Sequence, residues 1–421
     1  MAFGLRRRAL LAACRDGREL RGGILDAGVL RDCCLDATRP IDPRGLRLHG
    51  VHVRGRLDLA GVDAAFPLAF TGCTFDEAPD LTGASVRGLA ITGSPRLPGL
   101  LADGLRVAGD LDLSGSRIAG AHRGGGRVPA AVWLRDADVG RRLLLLGTAI
   151  DAGGARALHA DRIRVGGNAR LANGFAAGGD VRLPGARIGG SLDLGGARIA
   201  GGRAWPDERP AVAVDLGEAT IAGSLFLAGH PADSAVETRL EGRFVGGNLA
   251  VAGRMVIRGA VLHGPGGEPA LTAPRLTVGG ALNIEGGCRF RGGIDLSYGD
   301  LTTVTIGGDC AIDAPGRIAL DLRGAEVRSH VTLRPASPSR ARCGWPAPAP
   351  AATSSSGTCG CARRGRGTRW CRRSGRRSTA RSTPTARSST TRQGARSTCS
   401  RRSCAARSGS WTTSPRPASS R

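Results

Sequence analysis

Apolar residues alternate with polar or very small residues along most of this chain, and glycines interrupt the alternation at regular intervals. The clearest example is Arg182–Gly202, where the phrase G-A-R-I-x-G occurs twice. Leu183 and Leu194 stand 11 residues apart, as do Ile188 and Ile199. A period of two indicates β-strands, and glycine between the runs indicates turns. The pattern therefore predicts short strands grouped into arms of 11 residues.

The same unit recurs through the chain, which is typical of a solenoid. It has the form apolar-x-[VI]-x-G-x-[LA]-x-[LI], and its central residues Val107, Val165, Ile221 and Val278 are spaced 58, 56 and 57 residues apart. One arm alone cannot bury its apolar row, whereas stacked coils bury it continuously. Two arms predict a coil of roughly 22 residues, so Leu46–Leu333 predicts on the order of a dozen coils. The predicted fold class is all-β, a parallel β-helix.

Three segments are predicted along the chain. Residues 1–40 form an N-terminal helical cap, residues 41–334 form the β-solenoid, and residues 335–421 form a disordered tail. The cap is predicted because apolar residues recur at helical spacing between Arg18 and Asp36, and because an open coil end exposes unpaired backbone. The apolar residues of this helix are Leu20, Ile24, Leu25, Val29 and Leu30.

Four segments rich in Gly, Pro and charge interrupt the regular coils. They are Gly120–Pro129, Asp151–Arg156, Gly201–Pro210 and Gly264–Pro269. Each precedes a similar apolar run, so we expect all four to emerge from one corner of the coil. Insertions in solenoids gather on one face, which is often the binding face.

The amino-acid composition excludes several kinds of catalytic and cofactor site. The chain has 67 Gly and only 3% aromatic residues, which fits a thin aliphatic core, and all 60 basic residues are Arg. The absence of Lys excludes a P-loop lysine and a pyridoxal Schiff base. A dinucleotide fingerprint between strand and helix is also missing, so the glycine pairs are interpreted as corners.

The net charge of +25 is concentrated in the tail. Residues 335–421 hold 19 Arg and no Asp or Glu, whereas residues 1–334 hold 41 Arg against 35 acids. The tail also lacks Leu, Ile, Val, Phe and Met, so it cannot form a core. If the tail is genuine, its basic composition predicts binding to nucleic acid or anionic lipid.

Several motifs indicate a family resemblance. They are V-R-G-R-L-D-L-A-G at Val53–Gly61, C-T-F-D-E at Cys73–Glu77, L-R-V-A-G-D-L-D-L at Leu105–Leu113, and A-L-x-A-x-x-[LI]-x-V-G-G at Ala157–Gly167 and Ala270–Gly280. With these motifs, the chain resembles an actinomycete family of pentapeptide-repeat-like β-solenoid proteins commonly labelled membrane-associated oxidoreductase. The resemblance covers roughly residues 19–334. It implies association with a membrane and an oxidoreductase activity, but no catalytic residue carries over. Members of the family often continue into a helical segment and apolar membrane spans, and this chain departs from them near residue 335.

Candidate polar residues are interpreted mainly as surface. Carboxylates of the Leu-Asp-Leu type could form a ladder that binds calcium or acts on a polysaccharide. Other copies carry Arg170, Arg182, Phe226 or Asn283 at the matching place, which favours a solvated strand face. The ladder candidates are Asp58, Asp112, Asp193, Asp295 and Asp321.

Histidine and cysteine give no stronger candidate. His49 and His52 are three residues apart in a strand region, so they are expected on opposite sides and cannot share a metal. Histidines beside the variable loops are expected at the surface. Cys33 and Cys34 are interpreted as small buried hydrophobic residues. No catalytic, cofactor or metal residue is therefore assigned.

The sequence favours a non-catalytic scaffold whose loop-bearing face binds a protein or membrane partner. The alternatives are the oxidoreductase that the resemblance implies and nucleic-acid binding through the tail. No apolar run approaches a membrane span and no secretory leader is recognised, so a cytoplasmic location is expected, with membrane association if the resemblance holds. End-to-end association of two copies is a further expectation, because an open coil edge can pair with another.

The unusual tail composition predicts a frameshift near residue 335. In a GC-rich gene, leucine codons read one base out of frame produce Trp, which would explain Trp345, Trp370 and Trp411. Resequencing of the gene is expected to reveal an aliphatic-rich continuation in another frame. A gene without such a continuation would show that the tail is the natural reading.

Overall fold

Parallel pairing between successive coils builds the fold. The computed structural model describes residues 7–36, 41–122, 128–201, 211–228 and 237–334. Within these ranges the chain makes about 11 turns, and successive turns pair in parallel. A regular turn contributes one strand to each of four ladders, which we call faces 1 to 4 in chain order. The predicted all-β parallel β-helix is confirmed, with a turn count close to the expected dozen.

Faces 1 and 2 belong to one continuous sheet, because Thr277–Glu285 and Asp300–Ile306 run through both of them. Face 1 also contains Asp63–Ala64, Ser85–Val86, Arg106–Val107, Asp138–Val139, Arg164–Val165, Arg187–Ile188, Thr220–Ile221, Ala250–Val251 and Glu326–Val327. Face 2 also contains Leu20–Arg21, Leu46–His49, Leu68–Thr71, Leu89–Thr92, Leu111–Asp112, Leu143–Leu144, Ala169–Arg170, Leu192–Asp193, Leu225–Ala228, Met255–Arg258 and Val331–Leu333.

Faces 3 and 4 are separate from that sheet, and face 3 consists of a three-stranded and an eight-stranded ladder that isolated bridges of Arg96 and Leu97 connect. Face 3 contains Ile24–Asp26, His52–Arg54, Thr74–Phe75, Arg117–Ala119, Ala149–Asp151, Ala176–Gly178, Arg198–Ala200, Thr238–Glu241, Ala260–His263, Arg289–Arg291 and Ala311–Asp313. Face 4 contains Leu100–Leu101, Ala130–Trp133, Arg156–His159, Val181–Arg182, Val212–Asp215, Arg243–Val245, Leu271–Thr272, Ile294–Asp295 and Leu320–Asp321.

Each predicted 11-residue arm contains two strands and two corners. One kind of corner is a β-turn closed by a backbone hydrogen bond, such as the bond from Ala186 N to Leu183 O at 3.1 Å. Its third residue takes a positive φ, 65° at Gly185 and 70° at Gly196, a conformation that glycine adopts without steric cost. The arm is therefore a pair of short sides of the coil.

Gly189 and Gly190 are explained by a different constraint, the close approach of the neighbouring coil. Gly189 and Gly190 do not have a positive φ, so the expectation that they supply corner dihedrals is wrong. A Cβ at Gly189 would lie 2.4 Å from Gly166 O, and one at Gly190 would lie 2.1 Å from Asn168 Oδ1. The preceding coil therefore leaves no room for a Cβ at these two positions.

The near-constant repeat of 56 to 58 residues spans two coils. The face 1 ladder places Val139 between Val107 and Val165, and Ile188 between Val165 and Ile221. Two consecutive coils of unequal length therefore add up to a similar number of residues each time. The intervening coils place Val139, Ile188 and Val251 inward on the same face, and Ala186–Leu194 fits the motif as well.

The helix predicted over Arg18–Asp36 is shorter in the structure. Gly22 and Gly23 have φ of 62° and 88° and interrupt it, and the strands on either side pair with face 2 and face 3 of the next coil. The helix occupies Ala27–Leu35 and begins with Asp26 Oδ1 accepting a hydrogen bond from Gly28 N at 2.9 Å. A second helix, Arg7–Asp16, was not predicted. The 1–40 boundary stays a prediction, and the tail lies outside the described residues.

All four predicted insertions leave the coil at one corner, between face 3 and face 4. They connect Ala119 to Ala130, Asp151 to Arg156, Ala200 to Val212, and His263 to Leu271. The last includes a short 3₁₀ turn, Pro265–Gly267. We call this edge the loop-bearing corner. Residues 123–127 and 202–210 within it are outside the described ranges.

Replacing a close-approach glycine should destabilise the fold more than replacing a glycine with free space. Gly189→Ala is expected to cost about 1–3 kcal/mol in the free energy of unfolding, because its Cβ meets a carbonyl oxygen at 2.4 Å. Gly247→Ala is the matched control: its φ is not positive and its nearest non-local atom is Pro274 Cγ at 3.8 Å. That variant should be neutral or more stable by about 0.4–1 kcal/mol. Equal losses in chemical denaturation would contradict this account.

Candidate functional site

A polar row on face 4 is unusually buried for an outward strand face. In successive coils the ladder pairs Trp133 with His159, His159 with Arg182, and Arg182 with Asp215. The inward neighbours in these strands are Val132, Leu158 and Val181. Even so, Trp133 and His159 are only 0% and 5% exposed. This row lies beside the loop-bearing corner.

Trp133 joins the row to the base of the first loop. Its Nε1 donates to His122 O at 3.0 Å and to Ala130 O at 3.1 Å. His122 and Ala130 exchange backbone hydrogen bonds, and His122 Nε2 lies 2.7 Å from Pro98 O. The indole therefore fixes both ends of the loop between face 3 and face 4.

His159 packs against this indole and contacts an aspartate. Its ring centroid lies 4.9 Å from that of Trp133, and its Nε2 lies 3.2 Å from Asp161 Oδ2. Its Nδ1 is buried and has no hydrogen-bond partner. A histidine oriented by a carboxylate can act as a general base through its free nitrogen. Here that nitrogen is closed off, so the pair contributes to packing in this conformation.

Arg182 forms ion pairs with an aspartate of the coil before it and an aspartate of the coil after it. Its guanidinium lies 3.3 Å from Asp161 and 3.1 Å from Asp215. Burial favours the neutral form of Asp161, but the hydrogen bonds from His159 and Arg182 outweigh burial and lower the pKa of this carboxyl to about 2. Burial also disfavours the charged guanidinium, yet the bond to Asp161 leaves the pKa of Arg182 raised.

Asp180 and Arg156 form a weaker pair beside this network. Arg156 Nε lies 3.5 Å from Asp180 Oδ2, and the two side chains are 22% and 17% exposed. Burial raises the pKa of Asp180, and burial followed by the like charge of Arg182 lowers the pKa of Arg156. Desolvation thus exceeds the attraction within this pair, as is common for buried ion pairs.

A third ion pair covers the Trp133 side of the row. Arg135 Nη2 lies 2.5 Å from Asp103 Oδ2, and Asp103 also accepts a bond from Arg135 N at 2.9 Å. The hydrogen bond to Asp103 raises the pKa of Arg135. The same guanidinium lies 4.8 Å from the indole centroid, within cation–π range. The network fixes the outer surface of five successive coils, from Asp103 to Asp215.

On the other side of the corner, face 3 has a groove of about 990 Å³. Its floor consists largely of small side chains, including Ala149, Ala176 and Ala200. The strand register puts its charges in two rows. The row nearer face 2 contains Arg117, Arg198 and Arg239. The row nearer the loops contains Asp151 and Glu241.

The predicted carboxylate ladder does not exist as one row. Asp58, Asp295 and Asp321 lie on face 4, whereas Asp112 and Asp193 lie on face 2. Each accepts a hydrogen bond from the backbone N two residues later, at 2.9–3.0 Å, and so caps its own turn. The matching Arg170, Phe226 and Asn283 belong to face 2, and Arg182 belongs to face 4.

His49 and His52 are separated by a corner of the coil. His49 ends a face 2 strand, while His52 begins a face 3 strand and contacts Thr74 Oγ1 at 2.9 Å and Asp76 Oδ1 at 3.0 Å. Cys33 and Cys34 are buried, as predicted.

His159 contradicts the expectation that loop-adjacent histidines lie at the surface, because Trp133 covers it. The burial of His159 could have been predicted from the sequence by one signal. A rare Trp is followed, one coil later, by a His.

Within the described ranges, no group of three or more His, Cys, Asp and Glu side chains is placed to hold a metal ion. In the same part of the chain, no helix is long and apolar enough to cross a membrane. The tail proposed for nucleic-acid binding is outside these ranges.

The low pKa of Asp161 predicts a pH-dependent stabilisation. Its folded pKa of about 2 is below its ordinary value of 3.8, so the stabilisation is present above about pH 4 and is lost as the pH falls towards 2. Asp161→Asn should lower the free energy of unfolding at pH 7 by on the order of 2 kcal/mol. In denaturant titrations, the difference in the free energy of unfolding between this variant and wild type should become smaller near pH 2–3.

The control for this experiment is Asp138→Asn, an exposed carboxylate on face 1. Its gap to wild type should be small at both pH values. A gap for Asp161→Asn that stays equal at pH 7 and pH 2.5 would show that the carboxylate charge is not what stabilises the network.

Comparisons with protein-family models, with curated proteins and with solved structures find no match. The resemblance to the actinomycete family therefore stays a prediction from the quoted motifs. The oxidoreductase activity and the membrane association that it implies stay predictions as well. The architecture and geometry of the loop-bearing corner are the basis for the functional conclusion.

Proposed function

We propose that this chain is a non-catalytic β-solenoid scaffold that binds a protein partner at the loop-bearing corner and the adjoining groove. The observation that carries this proposal is that four interruptions of the coil converge on one corner, next to a groove of about 990 Å³. A rigid scaffold that presents loops from one edge is a common arrangement for recognition.

The buried network on face 4 supports this proposal by holding the corner in place. Trp133 fixes the first loop, and Arg182 links the coil after the second loop to its neighbours. Recognition surfaces that are ordered before binding lose less conformational entropy on association.

The charge pattern of the groove favours a protein over an anionic membrane. Arg117, Arg198 and Arg239 would attract lipid phosphate, but the equal number of acids along the same groove, Asp151, Glu237 and Glu241, would repel it. A protein surface can complement both signs at once. The small residues of the floor allow a partner side chain or helix to approach the backbone. An anionic membrane is the alternative outcome of the test.

Site-specific cross-linking tests the location of the interface. A photo-reactive amino acid at Ala149, on the groove floor, should capture a discrete cellular protein, whereas the same group at Thr220, exposed on face 1, should not. The captured protein is then purified for binding assays. Arg198→Glu with Arg239→Glu should weaken its binding at least tenfold, because two groove charges are reversed.

Arg187→Glu with Arg106→Glu is the matched control, since it reverses two exposed arginines on face 1. It should change affinity less than twofold. Equal effects of the two double variants, or equal capture from Ala149 and Thr220, would overturn the proposed interface. Binding of the wild-type chain to phosphatidylserine vesicles, lost in the groove variant, would assign the surface to a membrane.

A further inference from the structure

Two cysteines occupy equivalent positions in consecutive coils near the C-terminal end of the described solenoid. Arg289–Arg291 pairs with Ala311–Asp313 so that Arg289 lies opposite Ala311, and Cys288 and Cys310 immediately precede these two residues. Ala311 N donates to Cys288 O at 2.8 Å. Stacked strands are about 4.8 Å apart, which falls within the Cα separation that a disulfide spans.

The two thiols differ in exposure and in hydrogen bonding. Cys288 is 0% exposed, and its Sγ lies 3.1 Å from Glu285 O and 3.4 Å from Ile257 O. Cys310 is half-buried, and its Sγ lies 3.6 Å from Ile284 O and 3.8 Å from Asp309 Oδ1. A reagent in solution can therefore reach Cys310, whereas Cys288 is accessible mainly to its neighbour.

The two neighbouring thiols differ in acidity. The adjacent Cys288 side chain lowers the pKa of Cys310, although burial and the charge of Asp309 oppose this effect. The adjacent Cys310 side chain, together with burial, raises the pKa of Cys288. Thiolate is the nucleophilic form of cysteine, so Cys310 is the more reactive of the two.

We propose that Cys288 and Cys310 are an oxidisable pair, in which Cys310 reacts with a hydroperoxide and Cys288 then closes a disulfide between the two coils. In the first step the Cys310 thiolate attacks one peroxide oxygen and the O–O bond breaks. This forms a sulfenic acid and releases hydroxide or an alkoxide. In the second step Cys288 sulfur attacks Cys310 sulfur, water leaves with the Cys288 proton, and the S–S bond forms. The peroxide gains the two electrons that the thiols lose.

The other cysteines in the described ranges lack this combination. Cys14 and Cys33 have their sulfurs 3.9 Å apart, but both are buried. A hydrogen bond with Cys33 and burial raise the pKa of Cys14, and burial raises that of Cys34 to about 12. Cys73 is fully buried, and burial raises its pKa. These thiols serve as internal controls.

The disulfide would join a fully packed coil to a less packed one. Ile294 and Leu296, in the coil that follows Cys288, are 1% exposed. Ile312, Leu320 and Val327, in the coil that follows Cys310, are only partly buried. A bond between these coils limits the separation of the outer one, since it constrains the opened chain.

The test is a timed oxidation of the full chain with hydrogen peroxide, followed by alkylation and peptide mapping. Trypsin cleavage after Arg289 and Arg317 places Cys288 and Cys310 in different peptides, and both are distinct from those of the six cysteines in residues 335–421. We expect a Cys288–Cys310 linked peptide that dithiothreitol removes. Loss of the reduced Cys310 peptide should be at least tenfold faster than loss of the Cys73 peptide.

Single substitutions distinguish the cysteine that reacts with peroxide from the cysteine that closes the disulfide. Cys288→Ser or Cys288→Ala should leave a sulfenic acid on Cys310 that dimedone traps, whereas Cys310→Ser should abolish both the linked peptide and the trapping. Cys73→Ser should change neither. Oxidation of wild-type Cys310 no faster than that of Cys73, or a Cys310 sulfenic acid that never converts to the linked peptide, would overturn the proposal without reliance on any variant.

Discussion

Backbone hydrogen bonding between stacked coils is the constraint on which this structure depends. Gly189 N donates to Val165 O in the coil before, and Thr220 N donates to Ala186 O, each at 2.8 Å. This register sets the spacing of coils, so any residue whose Cβ would enter that space is excluded, as at Gly189 and Gly190. It also places like side chains above one another, which creates the aliphatic interior and the Trp133, His159 and Arg182 row. The packing of the core, the ion pairs on face 4 and the position of the two neighbouring thiols all depend on the same spacing between stacked coils.

The sequence predicted the fold class because strand periodicity is a local property. Alternation and glycine position are enough to indicate a parallel β-helix, and they also placed four insertions at one corner. Register between coils is not local, and it was predicted less well. The 56 to 58 residue spacing joined every second coil, and carboxylates of two faces were interpreted as one ladder. The interpretation as one ladder is wrong because similar turns occur on more than one side of each coil.

The polar network was the least predictable part of the site. His159 is in a sequence that indicates an exposed strand position, and only the register with Trp133 explains its burial. The Gly22–Gly23 pair was likewise underestimated, since two consecutive residues with positive φ end a helical pattern regardless of the apolar spacing around them. In the first case one tryptophan, and in the second a pair of glycines, outweighed the periodic signal. Tertiary contacts decide the environment of such residues, and periodicity alone does not encode them.

The loop-bearing corner has a consequence for how such a protein changes over time. From Val86 to Val107 the chain uses 21 residues to return to face 1, and from Ile188 to Ile221 it uses 33, yet both pairs are direct ladder neighbours. The contour length of a coil is thus independent of its rise along the axis. Segments at this corner can be gained, lost or exchanged without a change in the register of any other coil. The scaffold can therefore stay constant while its recognition chemistry diversifies, one insertion at a time.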